Sequence, residues 1–202
     1  MSAWLALLLT VIYLGAAFVL RSVVQRRRTG STGFRGVSGR PWTAEWLGGV
    51  LFAIALLLGL AAPALQLAGG LHPVGAIDTP AVHLLGAVLA MAGITATLVA
   101  QSSMGASWRV GVDADETTAL VTSGAFAVVR NPVFAAMLPT GLGLTLLAAN
   151  PVSIVAFMLL VVAIELQTRV VEEPYLLSTH GTRYATYAGR VGRFVPGVGR
   201  LS

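Results

Sequence analysis

The sequence predicts an all-α membrane protein, a polytopic bundle of about five transmembrane helices. Of its 202 residues, 56% are hydrophobic and 10% are charged, whereas soluble domains are about one quarter charged. Several apolar runs approach the roughly 20 residues that cross a bilayer as a helix. The runs do not alternate as the strands of a transmembrane barrel do. The chain is too short for a second sizeable domain, so we expect a single membrane domain over residues 1–202.

Five apolar runs are predicted to span the membrane, at about 3–20, 46–68, 81–100, 132–149 and 152–169. No basic residue precedes the first run and four arginines follow it. This order is the reverse of a secretory signal, so the run is predicted to be an uncleaved anchor with its amino end outside. The segment 21–45 is rich in Arg, Gly and Ser, which favours a flexible segment drawn to anionic lipid head groups.

The arginines predict the orientation. All 13 basic residues fall on one side of the five-span topology, and they include Arg35, Arg40, Arg109 and Arg130. The positive-inside rule makes that side cytoplasmic. A four-span alternative that fuses 132–169 would place the arginine-rich tail outside. We therefore expect an integral protein of the plasma membrane with its amino end outside, its carboxyl end and active site cytoplasmic, and no nucleic-acid partner behind the net charge of +5.

Several kinds of site are excluded or unsupported. The chain has no cysteine, which excludes disulfides, thiolate metal sites and cysteine nucleophiles. The three histidines, His72, His83 and His180, lack a metal-ligand spacing, so no metal is predicted. No glycine-rich nucleotide motif follows a predicted strand. No feature points to an obligate protein partner, so the expected partners are membrane lipids and a lipophilic substrate.

Two polar clusters are predicted to meet at the cytoplasmic face. Asn150-Pro151 indicates a tight turn between the last two spans. Asn150 lies 20 residues after Arg130, and Glu172 lies 21 residues after Pro151. At about 1.5 Å per residue each limb is about 30 Å long, the thickness of the hydrocarbon core. Arg130-Asn131 and Glu172-Glu173 should therefore end side by side.

Each cluster also has a purely structural interpretation. Asn131 can cap the fourth span, with Pro132 at its first helical position. Glu172-Glu173 can be a solvated helix end before Pro174, although carboxylates are unfavourable there. A further carboxylate, Glu165, lies inside the fifth span one turn before Arg169. The pair is interpreted either as an intrahelical ion pair or as the polar wall of a substrate pocket.

The carboxyl-terminal half resembles a known family. The stretches LVTSGAFAVVRNPVF (120–134), NP (150–151) and EEPYLLSTHGTRYATYAGRVGRFVP (172–196) resemble the isoprenylcysteine carboxyl methyltransferase and phospholipid methyltransferase family in order and spacing. The likeness covers roughly residues 105–197, whereas residues 1–104 carry generic spans. Departures from the family pattern are Ala125, Phe134, Pro174 and His180, and they leave the acceptor undefined.

The resemblance implies a membrane-embedded methyltransferase that uses S-adenosylmethionine, with the tail as a cytoplasmic helical lid. It implies cofactor-binding roles for Arg130, Asn131, Glu172, Glu173, Tyr184, Tyr187 and Arg193, of which Arg130 and Glu172 are also the candidate catalytic residues. Arg190 and Pro196 would help to order the tail. The candidate substrate-pocket residues are Trp108, Phe134, Glu165 and Arg169.

The residue types suit such a cofactor. An arginine suits its carboxylate, glutamates suit its ammonium or ribose hydroxyls, and tyrosines can stack or donate. The acceptor stays open between a prenyl, isoprenoid or fatty carboxylate, a thiol and a phospholipid amine. Two other classes also stay open: an NADPH-dependent enzyme related to sterol reductases, and a non-catalytic lipid-binding scaffold.

Overall fold

The computed structural model describes residues 2–33, 36–105, 108 and 120–201. Arg35 and Arg109, two of the arginines used to assign sidedness, lie outside these residues. The described chain contains helices and no strand, with one isolated bridge between Val129 and Gly192. The predicted all-α class is therefore confirmed.

The first helix is longer than the sequence predicts. Helix α1 (Ser2–Leu14), a π-helical stretch (Gly15–Leu20) and helix α2 (Arg21–Thr29) follow one another without a break. The prediction of a flexible segment from residue 21 is wrong for 21–29. No Gly or Pro interrupts residues 16–29, and the helix ends only at Gly30, whose φ of +80° is readily adopted by glycine.

The remaining helices follow the predicted order. Thr43 and Thr79 cap helices α3 and α4 by accepting a hydrogen bond from the backbone of the first turn. The helices after α2 are α3 (Ala44–Leu67), α4 (Pro80–Met104), a short 3₁₀ turn (Gly124–Ala127), α5 (Pro132–Ala148), α6 (Pro151–Leu166), a π-helical stretch (Gln167–Glu172), α7 (Glu173–His180) and α8 (Thr182–Arg190).

Four continuous helices in the described chain are long and apolar enough to cross a membrane. They are Ser2–Thr29, Ala44–Leu67, Pro80–Met104 and Pro151–His180. The apolar helix α5 has 17 residues, about 25 Å at 1.5 Å per residue, which is the lower limit for a span. A fifth crossing by α5 stays a prediction.

The predicted hairpin between α5 and α6 is confirmed. Asn150 caps α6, since its Oδ1 accepts from the Ser153 N–H at 2.9 Å and the Ser153 hydroxyl completes a capping box. Its Nδ2 donates to the Ala62 carbonyl at 3.1 Å and to Gln66 Oε1 at 2.7 Å. The fully buried Asn150 side chain therefore fixes the turn against the carboxyl-terminal end of α3.

The two limbs of the hairpin pack mainly on different partners. Helix α5 packs most extensively on α4 and helix α6 on α3, with less contact between α5 and α6 themselves. Small residues allow the close approach of α4 and α5: a Cβ at Gly86 would lie 2.8 Å from the Gly143 carbonyl oxygen. This splaying leaves space between the limbs near the end of the bundle where α5 begins.

The last long helix does not end at Glu172-Glu173. The interpretation of this pair as a solvated helix end is therefore wrong. The π-helical stretch Gln167–Glu172 leads directly into α7, which continues to His180. Pro174 lies in the first turn of α7, where the missing N–H of proline costs little. Gly181, with φ of +52°, then separates α7 from α8.

Candidate active site

A cavity of about 550 Å³, a volume typical of small-molecule sites, is lined mainly by residues of helices α1, α3, α4, α5 and α6. The carboxylate and amide side chains that line it lie at one end of the bundle, where α4 and α6 end and α3 and α5 begin. These side chains are Glu45, Gln101, Asn131, Gln167 and Glu172, and we call them the polar wall.

An apolar arm extends from the polar wall along one face of α3. The lining residues Glu45, Gly48, Phe52, Leu56 and Leu60 recur every three or four positions, which places them on one side of the helix. The apolar part, from Gly48 to Leu60, advances 12 residues, which corresponds to about 18 Å. Leu57 also lines the arm and is 67% exposed, so the arm opens to the outer surface of the bundle.

Beside the cavity, three charged side chains form a buried cluster that we call the ion triad: Arg130, Glu173 and Arg193. Arg130 Nη2 donates to Glu173 Oε1 at 2.7 Å. Arg193 donates to both oxygens of the same carboxylate, from Nε at 2.7 Å and from Nη2 at 2.8 Å. One carboxylate thus receives three charge-assisted hydrogen bonds, the strong kind.

Arg130 also holds the carboxyl-terminal tail. Its Nη1 donates to the carbonyls of Ala188 (2.9 Å) and Val191 (2.6 Å), and its Nη2 to that of Gly199 (2.9 Å). The Arg130 side chain is only 1% exposed. Its guanidinium is therefore committed to the protein and does not line the cavity.

The tail pairs with the segment that precedes α5. The Arg130 N–H donates to the Gly192 carbonyl at 2.8 Å, and the Asn131 N–H donates to the Arg193 carbonyl at 3.1 Å. The Tyr187 hydroxyl donates to the carbonyl of Phe126, a cavity residue, at 2.6 Å. The tail thus supports the 126–131 wall from behind, while its closure over a cofactor as a lid stays a prediction.

Two tyrosines of α8 belong to this support. Tyr184 is 1% exposed, and its ring lies 6.2 Å from that of Tyr187. Burial raises the pKa of each hydroxyl to about 12. Both phenols are therefore neutral at physiological pH and are poor candidates for a general base.

The structure divides the predicted cofactor residues into two groups. Asn131 and Glu172 line the cavity, whereas Arg130, Glu173, Tyr184, Tyr187 and Arg193 form the supporting cluster behind it. The expected meeting of Arg130 with the acidic pair is confirmed for Glu173. Asn131 stands at the cap position of α5, but its side chain makes no cap; its Nδ2 lies 3.4 Å from the Arg193 carbonyl instead.

The four predicted substrate-pocket residues also divide. Trp108 and Phe134 line the cavity, and Trp108 is buried. Glu165 and Arg169 do not line it: they form an ion pair one turn apart, with side chains 40% and 56% exposed. The intrahelical ion pair is therefore observed, and a role of these two side chains in a substrate pocket stays a prediction.

Several cavity residues were missed by the sequence interpretation, which treated residues 1–104 as generic. They include Tyr13, Glu45, Phe52 and Gln101. Glu45 and Gln101 are polar residues at the ends of apolar runs, where polar residues are common, so their positions alone did not indicate a site. Residues 36–38 of the Gly-rich segment also line the cavity, and nothing in their composition indicated this.

With this geometry in place, comparison with known proteins gives the family. Residues 81–183 match the model of the family described as phospholipid methyltransferase, which is about half of the chain. The chain belongs to the phospholipid methyltransferase family. It is thus placed among membrane methyltransferases, and the resemblance seen in the sequence is confirmed.

Two individual relatives fit this assignment. The chain is 33% identical over 82 residues to protein-S-isoprenylcysteine O-methyltransferase B of Arabidopsis thaliana, an alignment that covers 41% of this chain and 42% of the relative. The chain thus matches less than half of that relative's length. A solved structure of the eukaryotic intramembrane Ras methyltransferase ICMT superposes with a TM-score of 0.57 at 19% identity, over 96% of this chain and 70% of that chain. At this identity the likeness concerns the fold.

Proposed function

We propose that the protein transfers a methyl group from S-adenosylmethionine to a lipophilic acceptor that reaches the cavity from the cytoplasmic leaflet of the bilayer. One observation carries the proposal. A single cavity combines a polar wall, with two carboxylates, and an apolar arm about 18 Å long that opens to the outer surface of the bundle. A charged cofactor fits the first part and an aliphatic tail fits the second.

The polar wall suits the cofactor's groups. S-adenosylmethionine would supply a methyl group on a cationic sulfur. The Glu172 carboxylate can accept hydrogen bonds from an ammonium or from ribose hydroxyls, and the amide groups of Asn131 and Gln167 can donate to a carboxylate. Trp108 and Phe126 add aromatic surface for stacking.

Arg130, predicted as catalytic, is here a positioning residue. Its side chain joins Glu173, the tail carbonyls and, through its backbone, the strand-like pairing with Gly192. Methyl transfer to a nucleophile depends mainly on alignment, which is worth about 7–11 kcal/mol. A wall held in place by the ion triad provides that alignment without contact between Arg130 and the reacting atoms.

Membership of the methyltransferase family favours this function over the two alternatives. A reductase of the sterol-reductase type would have to hold NADPH in the same cavity, and a scaffold would need no polar wall at all. The first test is therefore isothermal titration of the detergent-purified protein with S-adenosylmethionine, its demethylated product and NADPH. We expect the first two to bind and NADPH not to compete. A folded protein that binds neither sulfur compound contradicts the proposal.

The second test separates the cofactor from the acceptor. Radiolabelled methyl transfer into a total lipid extract should be abolished by Leu60→Trp, which fills the apolar arm, while the affinity for S-adenosylmethionine is kept. Leu65→Trp is the matched control, because Leu65 lies on the same helix, is exposed and is not among the cavity residues. Equal transfer by both variants would contradict the route through the arm.

A further inference from the structure

We propose that the turn 40–43 docks on anionic lipid head groups, with the Trp42 ring at the boundary of the hydrocarbon core. This inference goes beyond the proposed methyl transfer and does not depend on it. It depends on the backbone conformation and the exposure of Trp42, on the place of the turn in the bundle and on the arginines at the same end. The sequence predicts lipid attraction for the whole segment 21–45, and the structure narrows this attraction to one turn.

The backbone of the turn is unusual. The Thr43 N–H donates to the Arg40 carbonyl at 3.1 Å. Pro41 is the second residue of the turn, and the third, Trp42, has a φ of +69°. This is the pattern of a type II turn, in which the third residue is usually Gly or Asn because its φ is positive. A residue with a large side chain is unfavourable in this conformation, and such outliers often mark functional positions.

The protein itself covers little of the Trp42 side chain. Trp42 is 81% exposed, the largest fraction among the large hydrophobic side chains of the described residues. Its ring lies beside that of Trp46, with 5.5 Å between the centroids and an angle of 49° between the planes. This single ring contact leaves most of the indole uncovered, so the ring can contact a surface outside the protein.

The turn lies where a membrane-crossing helix begins. Thr43 caps α3, which is one of the four described helices long and apolar enough to cross a membrane. Trp42 directly precedes this cap. Tryptophan is enriched at the ends of membrane spans, because its apolar ring and polar N–H both suit the head-group region. This position favours lipid as the occupant over a soluble partner or a second copy of the chain.

The charges at this end of the bundle suit an anionic surface. The continuous helix Ser2–Thr29 has 28 residues, about 42 Å at 1.5 Å per residue, against about 30 Å for the hydrocarbon core. Arg21 of this helix donates to the Gln101 carbonyl at the end of α4, so the turns after Arg21 extend beyond the core at the end where α3 begins. The exposed arginines there are Arg26, Arg27, Arg28 and, in the turn, Arg40. Each arginine near an anionic bilayer surface adds to the attraction.

The turn is also packed against the segment that lines the cavity. Residues 36–38 line it. A Cβ at Gly49 would lie 3.2 Å from Val37 Cγ1, so Val37 fits against the bare backbone of α3. Gly39, with a φ of +85°, leads into the turn, and a Cβ there would lie 3.0 Å from Thr43 Oγ1. Docking of the turn on lipid therefore also restrains residues 36–38 at the cavity.

The test measures the surroundings of Trp42 in a bilayer. The full-length protein is reconstituted into nanodiscs of phosphatidylcholine mixed with phosphatidylglycerol, and one of the two lipids carries bromine on its chains near the head group, where it quenches nearby indoles. The fluorescence of the wild type minus that of Trp42→Asn gives the contribution of Trp42, since Asn suits the positive φ of the turn. We expect brominated lipid to quench this contribution and iodide in the buffer not to quench it.

The same measurement gives the preference for anionic lipid. Competition between brominated phosphatidylglycerol and brominated phosphatidylcholine should show that phosphatidylglycerol associates at the Trp42 site about 5-fold more tightly or better. Arg40→Gln should lower this preference about 5-fold, which corresponds to roughly 1 kcal/mol for one arginine near an anionic surface.

Trp4 provides the matched control. It is an exposed tryptophan of α1, at the opposite end of the bundle, and no basic residue occurs in residues 1–20. The contribution of Trp4, obtained with Trp4→Phe, should be quenched equally by the two brominated lipids. Arg40→Gln should leave this contribution unchanged.

Two further measurements separate docking from packing. Trp42→Asn should keep the unfolding temperature in detergent, because Asn relieves the backbone; a clear fall would assign Trp42 to packing on Trp46 and overturn the inference. The chain has no cysteine, so Ser38→Cys can be labelled selectively with a water-soluble maleimide. In nanodiscs, the additional change Trp42→Asn should raise the labelling rate severalfold. An unchanged rate would contradict the restraint on residues 36–38.

The remaining outcomes are equally decisive. Quenching of Trp42 by iodide and not by brominated lipid would place the ring in water and overturn the inference. Equal quenching by the two brominated lipids would overturn the anionic class of the partner. Protection from both quenchers in a crosslinked dimer would mean that a second copy covers Trp42, which also overturns it. If Trp42→Asn does not fold, Trp42→Gly gives the same difference spectrum. None of these results bears on methyl transfer, so the proposed function is judged separately.

Discussion

The ion triad and the polar wall lie side by side and are built from neighbouring residues, yet their environments are opposite. Arg130 and Glu173 are directed into the protein, where each has several partners. Asn131 and Glu172, the adjacent residues in the chain, line the cavity. The triad fixes the backbone of the wall, and the side chains of the wall line the cavity. Under the proposed function, this motif would combine residues that contact a ligand with residues that only position the others.

The largest expected effect is on the triad. Glu173→Gln removes the charge that neutralises Arg130 and Arg193, and breaking a buried ion pair in this way costs about 3–5 kcal/mol. We expect a large fall in the thermal unfolding temperature in detergent, together with release of the tail after residue 191. Hydrogen exchange of the backbone amides of Arg130 and Asn131 measures that release, since they donate to the tail carbonyls of Gly192 and Arg193.

The control for this change is Glu165→Gln. Glu165 is on the same continuous helix and is paired with Arg169 on an exposed surface, where such pairs contribute about 0–1 kcal/mol. Its unfolding temperature should stay close to that of the wild type. Similar losses for both variants would mean that the triad does not hold the tail and that the contrast between the two regions is wrong.

The next effect concerns the wall. Glu172→Gln should weaken the affinity for S-adenosylmethionine roughly 10- to 100-fold, because a hydrogen bond to a charged group contributes roughly 1.5–3 kcal/mol. It should cost less stability than Glu173→Gln. Isothermal titration and thermal unfolding of both variants measure the two quantities. The opposite result, with Glu172→Gln unstable and normal in affinity, would assign Glu172 to the support and not to the wall.

The sequence predicts the proximity of these residues better than it predicts their roles. Equal limb lengths about the Asn150-Pro151 turn place Arg130 level with the acidic pair, and helical rise alone gives this result. Which of two adjacent carboxylates faces the cavity depends on the rotation of the helix. The π-helical stretch Gln167–Glu172 changes that rotation, and no residue type in it signals a widened turn.

In the amino-terminal half, too, the sequence predicts the helices but not the residues that face the cavity. Its apolar runs predict helices correctly, but packing against α5 and α6 decides which face of α3 lines the cavity. The polar residues Glu45 and Gln101 lie at the ends of apolar runs, where a polar residue is ordinary. Their importance follows from tertiary contacts, such as that of Gln101 with Ala17 across 84 positions, which a single sequence does not encode locally.

The smallest effect that we expect is a loss of stability at high pH, caused by the two buried tyrosines of α8. Burial raises the pKa of Tyr184 and Tyr187 to about 12, against about 10 in an unfolded chain. Between pH 10 and 12 the unfolded chain loses these protons while the folded chain keeps them, so stability falls as the pH rises through that window and is unaffected below it. Thermal unfolding at pH 8, 9, 10 and 11 should show a decline only above pH 10.

Tyr187→Phe should make that decline shallower and should cost about 1 kcal/mol at pH 8 through loss of the bond to Phe126. An unchanged slope in Tyr187→Phe would show that this hydroxyl does not couple α8 to the cavity wall.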